Sequence, residues 1–159
     1  MGQRGNVLSI WRVLQRLPGG QWLFARLVCA RAPYFASIQP RITELRAGRC
    51  EVRIRKRRSV ENHLHTVHAI AICNMAELAA GLVSEVTVPP THRWIPKGMT
   101  VEYLKKADTD LNAVAELDLL PQLGASAEVP VAVHVVDTEG QAVLRAMIRM
   151  WITSRPAAG

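Results

Sequence analysis

The residues with the clearest chemical potential lie between positions 61 and 81, where polar side chains precede an apolar stretch. Glu77 is the one carboxylate in that stretch, on a helix that the periodicity predicts from about Val67 to Leu82. A carboxylate among apolar side chains is costly unless it has a partner, and in a closed site it is a candidate general base or nucleophile. The alternative is a structural carboxylate, bonded to Asn74 or to a partner chain.

The residues ahead of this helix suggest further roles. Asn62 could hold a water or a substrate carbonyl through its side-chain amide, although Asn is also favoured in turns and helix caps. The first amides of a helix have no partner within it, so the N–H of Ala69 or of Ile70 could act as an oxyanion donor. His68 is expected to line a polar cleft at the helix entrance.

Three histidines in this region raise the question of a metal site. His63, His65 and His68 form an H-x-H-x-x-H pattern. These spacings differ from the usual structural zinc patterns, and no Cys or Asp lies among them, so we predict no metal. Serine and phosphate-loop chemistry is not indicated either, because neither a G-x-S-x-G elbow nor a glycine-rich phosphate loop is present.

The pattern of elements predicts a single α+β domain over residues 1–159. A helical lead-in is expected over 1–47, with an apolar stripe from Val7 to Leu17, and a strand begins after Gly48. The long apolar helix is followed by four strand candidates with short polar links, Thr100–Lys106, Leu111–Leu119, Ala127–Val136 and Ala142–Thr153. Residues 48–153 should therefore form an antiparallel sheet that curls around the helix, with a second subunit covering the helix's outer side.

The positive charge of the chain is concentrated at its N-terminal end. The net charge is +7, and residues 1–43 contain six arginines and no acid, so the remainder is nearly neutral. A basic amphipathic helix can dock on a membrane surface, and such a segment can be a mitochondrial presequence. Its apolar stripe is more typical of a helix packed on the domain, and that is our prediction.

Composition also bounds the partners and the compartment. Aromatic residues make up 5% of the chain and none lies in the basic run at 53–58, which disfavours nucleic-acid binding. No apolar run approaches the ~20 residues of a membrane-spanning helix, so we expect no stable membrane insertion. Cys29, Cys50 and Cys73 cannot all pair, and reduced thiols are typical of a cytoplasmic protein.

Three stretches resemble a known superfamily. The sequence NHLHTVHAIAICNMAELAAG, residues 62–81, resembles the central motif of hotdog-fold thioesterases of the phenylacetate-pathway type. It is most similar to a bacterial branch of that superfamily described as a domain of unknown function. The stretches WIPKGMTVEYLKKADTDLNAVAEL and SIWRVLQRLPGGQWLFARL also resemble that branch. The wider family has Gly-Gly where this chain has Ala69 and Ile70.

The resemblance implies a fold, an activity and site residues. It implies a hotdog fold, a curved antiparallel sheet wrapped around one helix, in dimers or dimers of dimers with the active site between subunits. It implies hydrolysis of acyl-CoA thioesters, with coenzyme A as part of the substrate and no cofactor besides. Glu77 would act as base or nucleophile, Asn62 would orient water or substrate, His68 would support the entrance, and the Ala69 amide would polarise the carbonyl. Candidates for contacting the CoA phosphates are Arg93, Lys97, Lys105 and Lys106.

Other functions are compatible with the same sequence. The chain could bind acyl-CoA or a fatty acyl group without turnover, because Ala69 and Ile70 are bulkier than the glycines they replace. An enoyl-CoA hydratase on the same fold would need an Asp/His pair, whose motif we do not find. Nucleic-acid binding driven by the N-terminal charge would show steep salt dependence, and the near-neutral body of the chain counts against it.

Overall fold

Three helices and six strands form the part of the chain that the computed structural model describes, residues 4–118 and 123–156. The helices are α1 (Arg4–Leu14), α2 (Gly20–Arg31) and α3 (Ala69–Thr87). The strands are β1 (Arg41–Arg46), β2 (Arg49–Ile54), β3 (His92–Tyr103), β4 (Leu111–Glu116), β5 (Ser126–Val136) and β6 (Ala142–Ser154). Short 3-10 helices cover Pro33–Ile38 and Arg58–Val60.

The strands form one antiparallel sheet in the order β1-β2-β4-β5-β6-β3. The strands β4, β5 and β6 are successive neighbours, as their short links predict. The strand that directly follows α3 instead crosses to the far side and pairs with β6, so β1 and β3 are the two edges of the sheet. The predicted α+β architecture, a curved antiparallel sheet with one long central helix, is confirmed.

The core lies between α3 and one face of the sheet. Buried side chains recur at every second position of a strand, as with Cys50, Val52 and Ile54 of β2, and α3 contributes Met75 and Leu78. By length and composition α3 is apolar enough to cross a membrane, with a mean hydropathy of 1.5, so the sequence-based statement that no apolar run approaches that length was wrong. However, 56% of that window is buried inside the domain, as in a core helix, which is consistent with a soluble protein.

The first strand is the main difference from the sequence prediction. The predicted helical lead-in extends to residue 47, whereas residues 41–46 form β1 and pair with β2. The register shifts between Ile42 and Glu44, and the buried residues Ile42 and Leu45 are therefore not at alternate positions. This bulge removes the alternation by which a strand is recognised, so the sheet begins earlier than predicted.

The strand β3 also begins earlier than predicted, at His92 rather than at Thr100. Pro96 and Gly98 interrupt the alternation, and the register with β6 shifts between them. Proline is tolerated in an edge strand because its missing N–H can face away from the ladder. The long N-terminal half of β3 is therefore hidden in the sequence by residues that are usually taken as strand breakers.

The boundaries of β5 and β6 agree with the prediction within one residue, whereas α3 ends at Thr87 and not at about Leu82. The strand β4 ends at Glu116, and the predicted end at Leu119 lies outside the described residues. The short polar link between β5 and β6, residues 137–140, forms a turn in which the Gly140 N–H donates to the Asp137 carbonyl oxygen at 3.1 Å. Gly140 has φ 78°, a left-handed conformation that glycine adopts without steric cost.

The two N-terminal helices are folded onto the β1 side of the domain. Trp11 of α1 and Phe24 of α2 are buried, with ring centroids 5.1 Å apart in an edge-to-face arrangement. Gly20 allows the two helices to approach, because a Cβ at this position would overlap the carbonyl oxygen of Leu14. Val7, Ile10 and Leu14 also pack against the core, so the expected packing of the apolar stripe is observed except at Leu17, which is exposed.

We expect Gly20→Ala to lower the free energy of unfolding by about 2–3 kcal/mol, because the added methyl group can be accommodated only if α1 shifts. Gly124→Ala is the matched control, since nothing lies within 4 Å of the position its Cβ would take. Denaturant unfolding of both variants measures the difference. Equal midpoints for the two variants would show that α1 and α2 do not approach as closely as described.

Candidate active site

The helix α3 and the edge strand β3 lie side by side in opposite directions and contact each other near both ends. At one end, the Cys73 Sγ and the Tyr103 hydroxyl are 3.3 Å apart. At the other end, the Trp94 indole N–H donates to a Glu85 carboxylate oxygen at 2.9 Å. A Cβ on Gly81 would lie 3.2 Å from the Trp94 ring, so helix and strand are in close contact there. We call the surface between these two contacts the α3–β3 groove.

Glu77 lies between these two contacts, because residues 73, 77, 81 and 85 share one face of the helix. It is half-buried rather than enclosed. No hydrogen bond or ion pair to its carboxylate is found within the described chain. The Asn74 amide donates to the Ser37 hydroxyl at 3.1 Å, not to Glu77. A carboxylate without a partner in a groove can accept a proton from water or attack an acyl carbon.

At the N-terminus of α3, the Ile70 amide is occupied and the Ala69 amide is available. His68 is the N-cap, and its Nδ1 accepts a hydrogen bond from the Ile70 N–H at 3.0 Å. The proton of the neutral ring is therefore on Nε2. The Ala69 N–H has no hydrogen-bond partner among residues 4–118 and 123–156. Of the two amides that the sequence leaves open as oxyanion donors, that of Ala69 is available and that of Ile70 is not.

The side chain of Asn62 is used inside the turn that precedes the helix. Its Oδ1 accepts from the backbone N–H groups of Leu64 at 2.9 Å and Thr66 at 3.2 Å. Its Nδ2 donates to the Thr66 hydroxyl at 2.9 Å and retains a second hydrogen. The same turn holds His65 at φ 60°, a left-handed conformation that is uncommon outside glycine. Asn62 therefore fixes the loop that leads to His68.

The histidines of the H-x-H-x-x-H pattern have separate environments. His63 and His65 are exposed, while His68 caps α3. His65 lies 3.8 Å from Glu61, a contact that is an ion pair only when the ring is protonated. In the described part of the chain, no group of three or more His, Cys, Asp or Glu side chains is placed to hold a metal ion.

The four basic residues predicted to contact the phosphates of coenzyme A do not lie together. Arg93 and Lys97 lie in the first half of β3. The Arg93 Nε donates to the Thr153 hydroxyl at 3.0 Å, and the Lys97 ammonium donates to Glu128 at 3.0 Å. Both side chains are thus engaged with neighbouring strands, away from the N-terminus of α3.

The other two cations follow β3 and differ from each other. Lys105 donates to Asp137 at 2.6 Å, and this hydrogen bond lowers the pKa of Asp137 below its usual value. Lys106 is exposed and has no recorded partner in the described chain. Its neighbour Ala107 accepts a hydrogen bond from the Val67 N–H at 2.8 Å, which ties this loop to the segment that enters α3.

Tyr103 is a groove residue that the sequence does not reveal. Its side chain is 53% exposed, and its hydrogen bond with Cys73, together with partial burial, raises the pKa of the Tyr103 phenol. Cys73 is one helical turn before Glu77, so the Tyr103 hydroxyl lies at the end of the groove that is nearer to the Glu77 carboxylate. Spacing along the chain could not indicate this contact, because the two residues are 30 positions apart and meet only through the position of β3 beside α3.

Large apolar side chains around the groove are uncovered. They are Leu64, Ile70, Met99, Tyr103 and Leu104. The outer edge of β3 has no partner strand in the part of the chain that is described. A long edge strand beside exposed apolar side chains is typical of a surface that another chain covers.

Comparison with known proteins places the chain in a family. The model of the domain of unknown function DUF4442 matches residues 20–152. The chain belongs to the DUF4442 family. This DUF4442 chain is 42% identical to a structural-genomics target solved by crystallography, with a TM-score of 0.81 over 94% of this chain and 99% of that one. No functionally curated protein matches it in sequence.

Two more distant structures define the fold of the DUF4442 chain. A protein of unknown function from Pseudomonas aeruginosa, described as a probable thioesterase, is 22% identical with a TM-score of 0.76, over 87% of this chain and 97% of that one. A thioesterase family protein from Silicibacter pomeroyi is 18% identical with a TM-score of 0.69, over 82% of this chain and 96% of that one. The predicted resemblance to the hotdog thioesterase superfamily, and to a branch of unknown function, is confirmed.

Proposed function

We propose that this DUF4442 protein hydrolyses acyl thioesters of coenzyme A. The observation that carries the proposal is the unpartnered Glu77 carboxylate in the α3–β3 groove, on the same helix as the available Ala69 amide. Thioester hydrolysis needs a group that activates water or attacks the acyl carbon, and a donor that stabilises charge on the carbonyl oxygen. The thioesterase names of the distant structural relatives support the same class of reaction.

The chemistry assigns one role to each group. Glu77 takes a proton from a water that attacks the acyl carbon, or attacks that carbon itself to form an anhydride that water then cleaves. The Ala69 N–H, at the positive end of the α3 dipole, donates to the developing oxyanion. When the carbonyl re-forms, the C–S bond breaks and the thiolate of coenzyme A leaves. The products are a carboxylic acid and the free thiol.

The distance between the two groups supports a site shared by two copies of the chain. Ala69 and Glu77 are separated by a helix rise of about 12 Å, at ~1.5 Å per residue. An oxyanion donor must lie within about 3 Å of the carbonyl oxygen whose carbon the nucleophile attacks. In a dimer with two-fold symmetry, antiparallel α3 helices would bring the amide of one copy to the carboxylate of the other. Pairing of the β3 edges would also cover the exposed apolar side chains around the groove.

The neighbouring residues support these two groups. Asn62 holds the turn before the helix, and its second Nδ2 hydrogen can orient a water or the substrate. His68 holds the first turn of α3 through the Ile70 amide, so that the Ala69 N–H is the one that meets the carbonyl. Lys106, beside the loop that enters α3, is our candidate for contacting a phosphate of coenzyme A.

We expect Lys106→Ala to raise KM for acyl-CoA by about five- to tenfold with little change in kcat, because an exposed cation contributes roughly 1 kcal/mol to binding and none to the chemical step. Lys97→Ala is the matched control, since Lys97 is already bonded to Glu128. Steady-state kinetics on the two variants separate KM from kcat. A fall in kcat at unchanged KM would contradict the proposed phosphate contact.

A cytoplasmic location fits the thiols of the chain. Cys29, Cys50 and Cys73 are all free, as is typical of proteins in a reducing compartment. Cys50 is fully buried, and burial raises the pKa of its thiol, so this cysteine is chemically inert in the folded protein.

The direct test is thiol release from a panel of acyl-CoAs, with short, long and aryl acyl groups, by the purified protein. Turnover of any member supports hydrolysis and identifies the acyl group. A folded protein that binds these thioesters without turnover would overturn hydrolysis in favour of a non-catalytic binding protein. Ile70 would then be the residue to change first, since its side chain is 55% exposed at the place of a family glycine.

A further inference from the structure

Most exposed large apolar side chains fall into two groups, and the proposed dimer accounts for only one of them. The first group surrounds the α3–β3 groove. The second lies on and beside the N-terminal helices, and comprises Val13, Leu17, Trp22, Leu23 and Leu27. Nothing in the proposed hydrolytic site uses the second group.

The helix α2 is apolar on both of its faces. Phe24 and Ala25 face the domain and are buried. Trp22, Leu23 and Leu27 face away from it and are 63%, 42% and 48% exposed. A surface helix normally presents charged and polar residues on its outer side. The outward side of α2 is thus suited to an apolar environment that the chain itself does not provide.

Arginines lie within this apolar stripe. The Arg26 guanidinium lies over the Trp22 ring, 5.0 Å from its centroid, and Arg31 is exposed at the end of the same helix. Both side chains are long enough to keep their charge at a polar surface while their stems lie along apolar groups. The outward side of α2 therefore combines a Trp, two Leu and Arg26, and Arg31 lies at the end of the helix.

The broad groove beside α2 adds further positive charge. Trp22 and Arg26 border it together with Arg41, Arg53 and Arg55, which are all exposed. Arg41 and Arg53 lie directly opposite each other in the β1–β2 register, a like-charged pair that is unfavourable without an anion nearby. The carboxylates that border this groove, Asp110 and Asp137, accept hydrogen bonds from the Lys56 N–H and from Lys105.

We propose that the outward side of α2, with the arginines of the adjoining groove, docks the protein on the surface of an anionic lipid bilayer. Trp and Leu side chains can enter the boundary between headgroups and acyl chains while arginines contact lipid phosphates. Residues 4–43 contain no acid that would oppose this contact. A second copy of the chain fits poorly, because two-fold pairing would bring together two α2 surfaces that carry arginine and no acid. Nucleic acid would match the charge but leave the leucines exposed.

The experiment is flotation of the full-length protein with two kinds of vesicle, phosphatidylcholine alone and equal parts of phosphatidylcholine and phosphatidylglycerol. We expect binding to the anionic vesicles only, weakened by salt. Arg26→Glu should reduce the binding constant by about twentyfold, and Trp22→Gln with Leu27→Gln by about tenfold. Met147→Gln, an exposed apolar residue of β6 on the other side of the domain, is the control and should bind as wild type.

The variants also separate the alternatives. Equal binding of the α2 variants and wild type to anionic vesicles, or no binding by the folded wild type, would overturn the proposal. So would a change in oligomeric state caused by Trp22→Gln with Leu27→Gln, since a second copy would then be what covers this surface. Tighter binding to duplex DNA than to anionic vesicles would point to nucleic acid instead. None of these outcomes depends on thioester hydrolysis.

Discussion

Glu77→Gln is expected to lower kcat for acyl-CoA hydrolysis by about 10³-fold, because the amide can neither accept a proton from water nor attack the acyl carbon. The variant should fold normally, since the carboxylate has no hydrogen bond or ion pair within residues 4–118 and 123–156 that the substitution could remove. Thiol release measures kcat, and thermal unfolding measures the stability of the same preparation.

Glu85→Gln is the matched control for this substitution. Glu85 is on the same helix face, two turns further along, and accepts from the Trp94 indole, a bond that Gln can also accept. Its activity should stay within about twofold of wild type, because surface polar substitutions of equal size rarely change more than that. If Glu77→Gln kept most of its activity, another group would have to activate the water, and the proposed mechanism would fail.

Ala69→Pro is expected to lower kcat by about 10²–10³-fold, because it removes the N–H that donates to the oxyanion and little else. Proline is well tolerated at the first position of a helix, where the N–H has no partner within the helix. The preceding residue, His68, has φ −63° and ψ 136°, the extended conformation that a residue before proline prefers. Thermal unfolding should therefore be nearly unchanged while turnover is lost.

Ala69→Gly is the control for this second prediction, because it retains the N–H and restores the residue type of the wider family. It should keep wild-type activity or exceed it. If Ala69→Pro were as active as wild type, the carbonyl oxygen would have to be stabilised elsewhere, and the phenol of Tyr103 would be the next candidate to test.

Co-expression of the two inactive variants tests whether the site is shared. If each site combines Ala69 of one copy with Glu77 of the other, a mixed dimer of Ala69→Pro and Glu77→Gln chains contains one fully intact site. Random pairing then restores about a quarter of wild-type activity, since half of the dimers are mixed and one site in two is intact. A site within one chain would give no recovery.

The elements that carry strong local patterns were predictable, and those that depend on long-range contacts were not. The long helix α3 and the hairpin at 137–140 follow from apolar periodicity and turn chemistry, which are local properties. The strand β1 was missed because its bulge disrupts the spacing of Ile42 and Leu45. The start of β3 was missed because Pro96 is acceptable only in a strand at the edge of a sheet, and edge position is a property of the whole fold.

The site shows the same division between local and long-range information. The positions of Glu77 and Ala69 on one helix follow from the motif. Whether the Ala69 or the Ile70 amide is available as an oxyanion donor depends on the direction of the His68 side chain. The spacing of residues along the sequence does not determine that direction. The contact between Cys73 and Tyr103 depends on the crossing of β3 to the far edge of the sheet, so no inspection of the helix alone could reveal it.

The cap on α3 has a consequence for which backbone donors the start of the helix offers. The Ile70 N–H is occupied by a side chain, the Nδ1 of His68, and not by the backbone. A residue at position 68 without a side-chain acceptor, such as Ala, would leave the Ile70 amide as accessible as that of Ala69. The side chain at position 68 therefore sets how many backbone donors are available there, without any change in the path of the main chain.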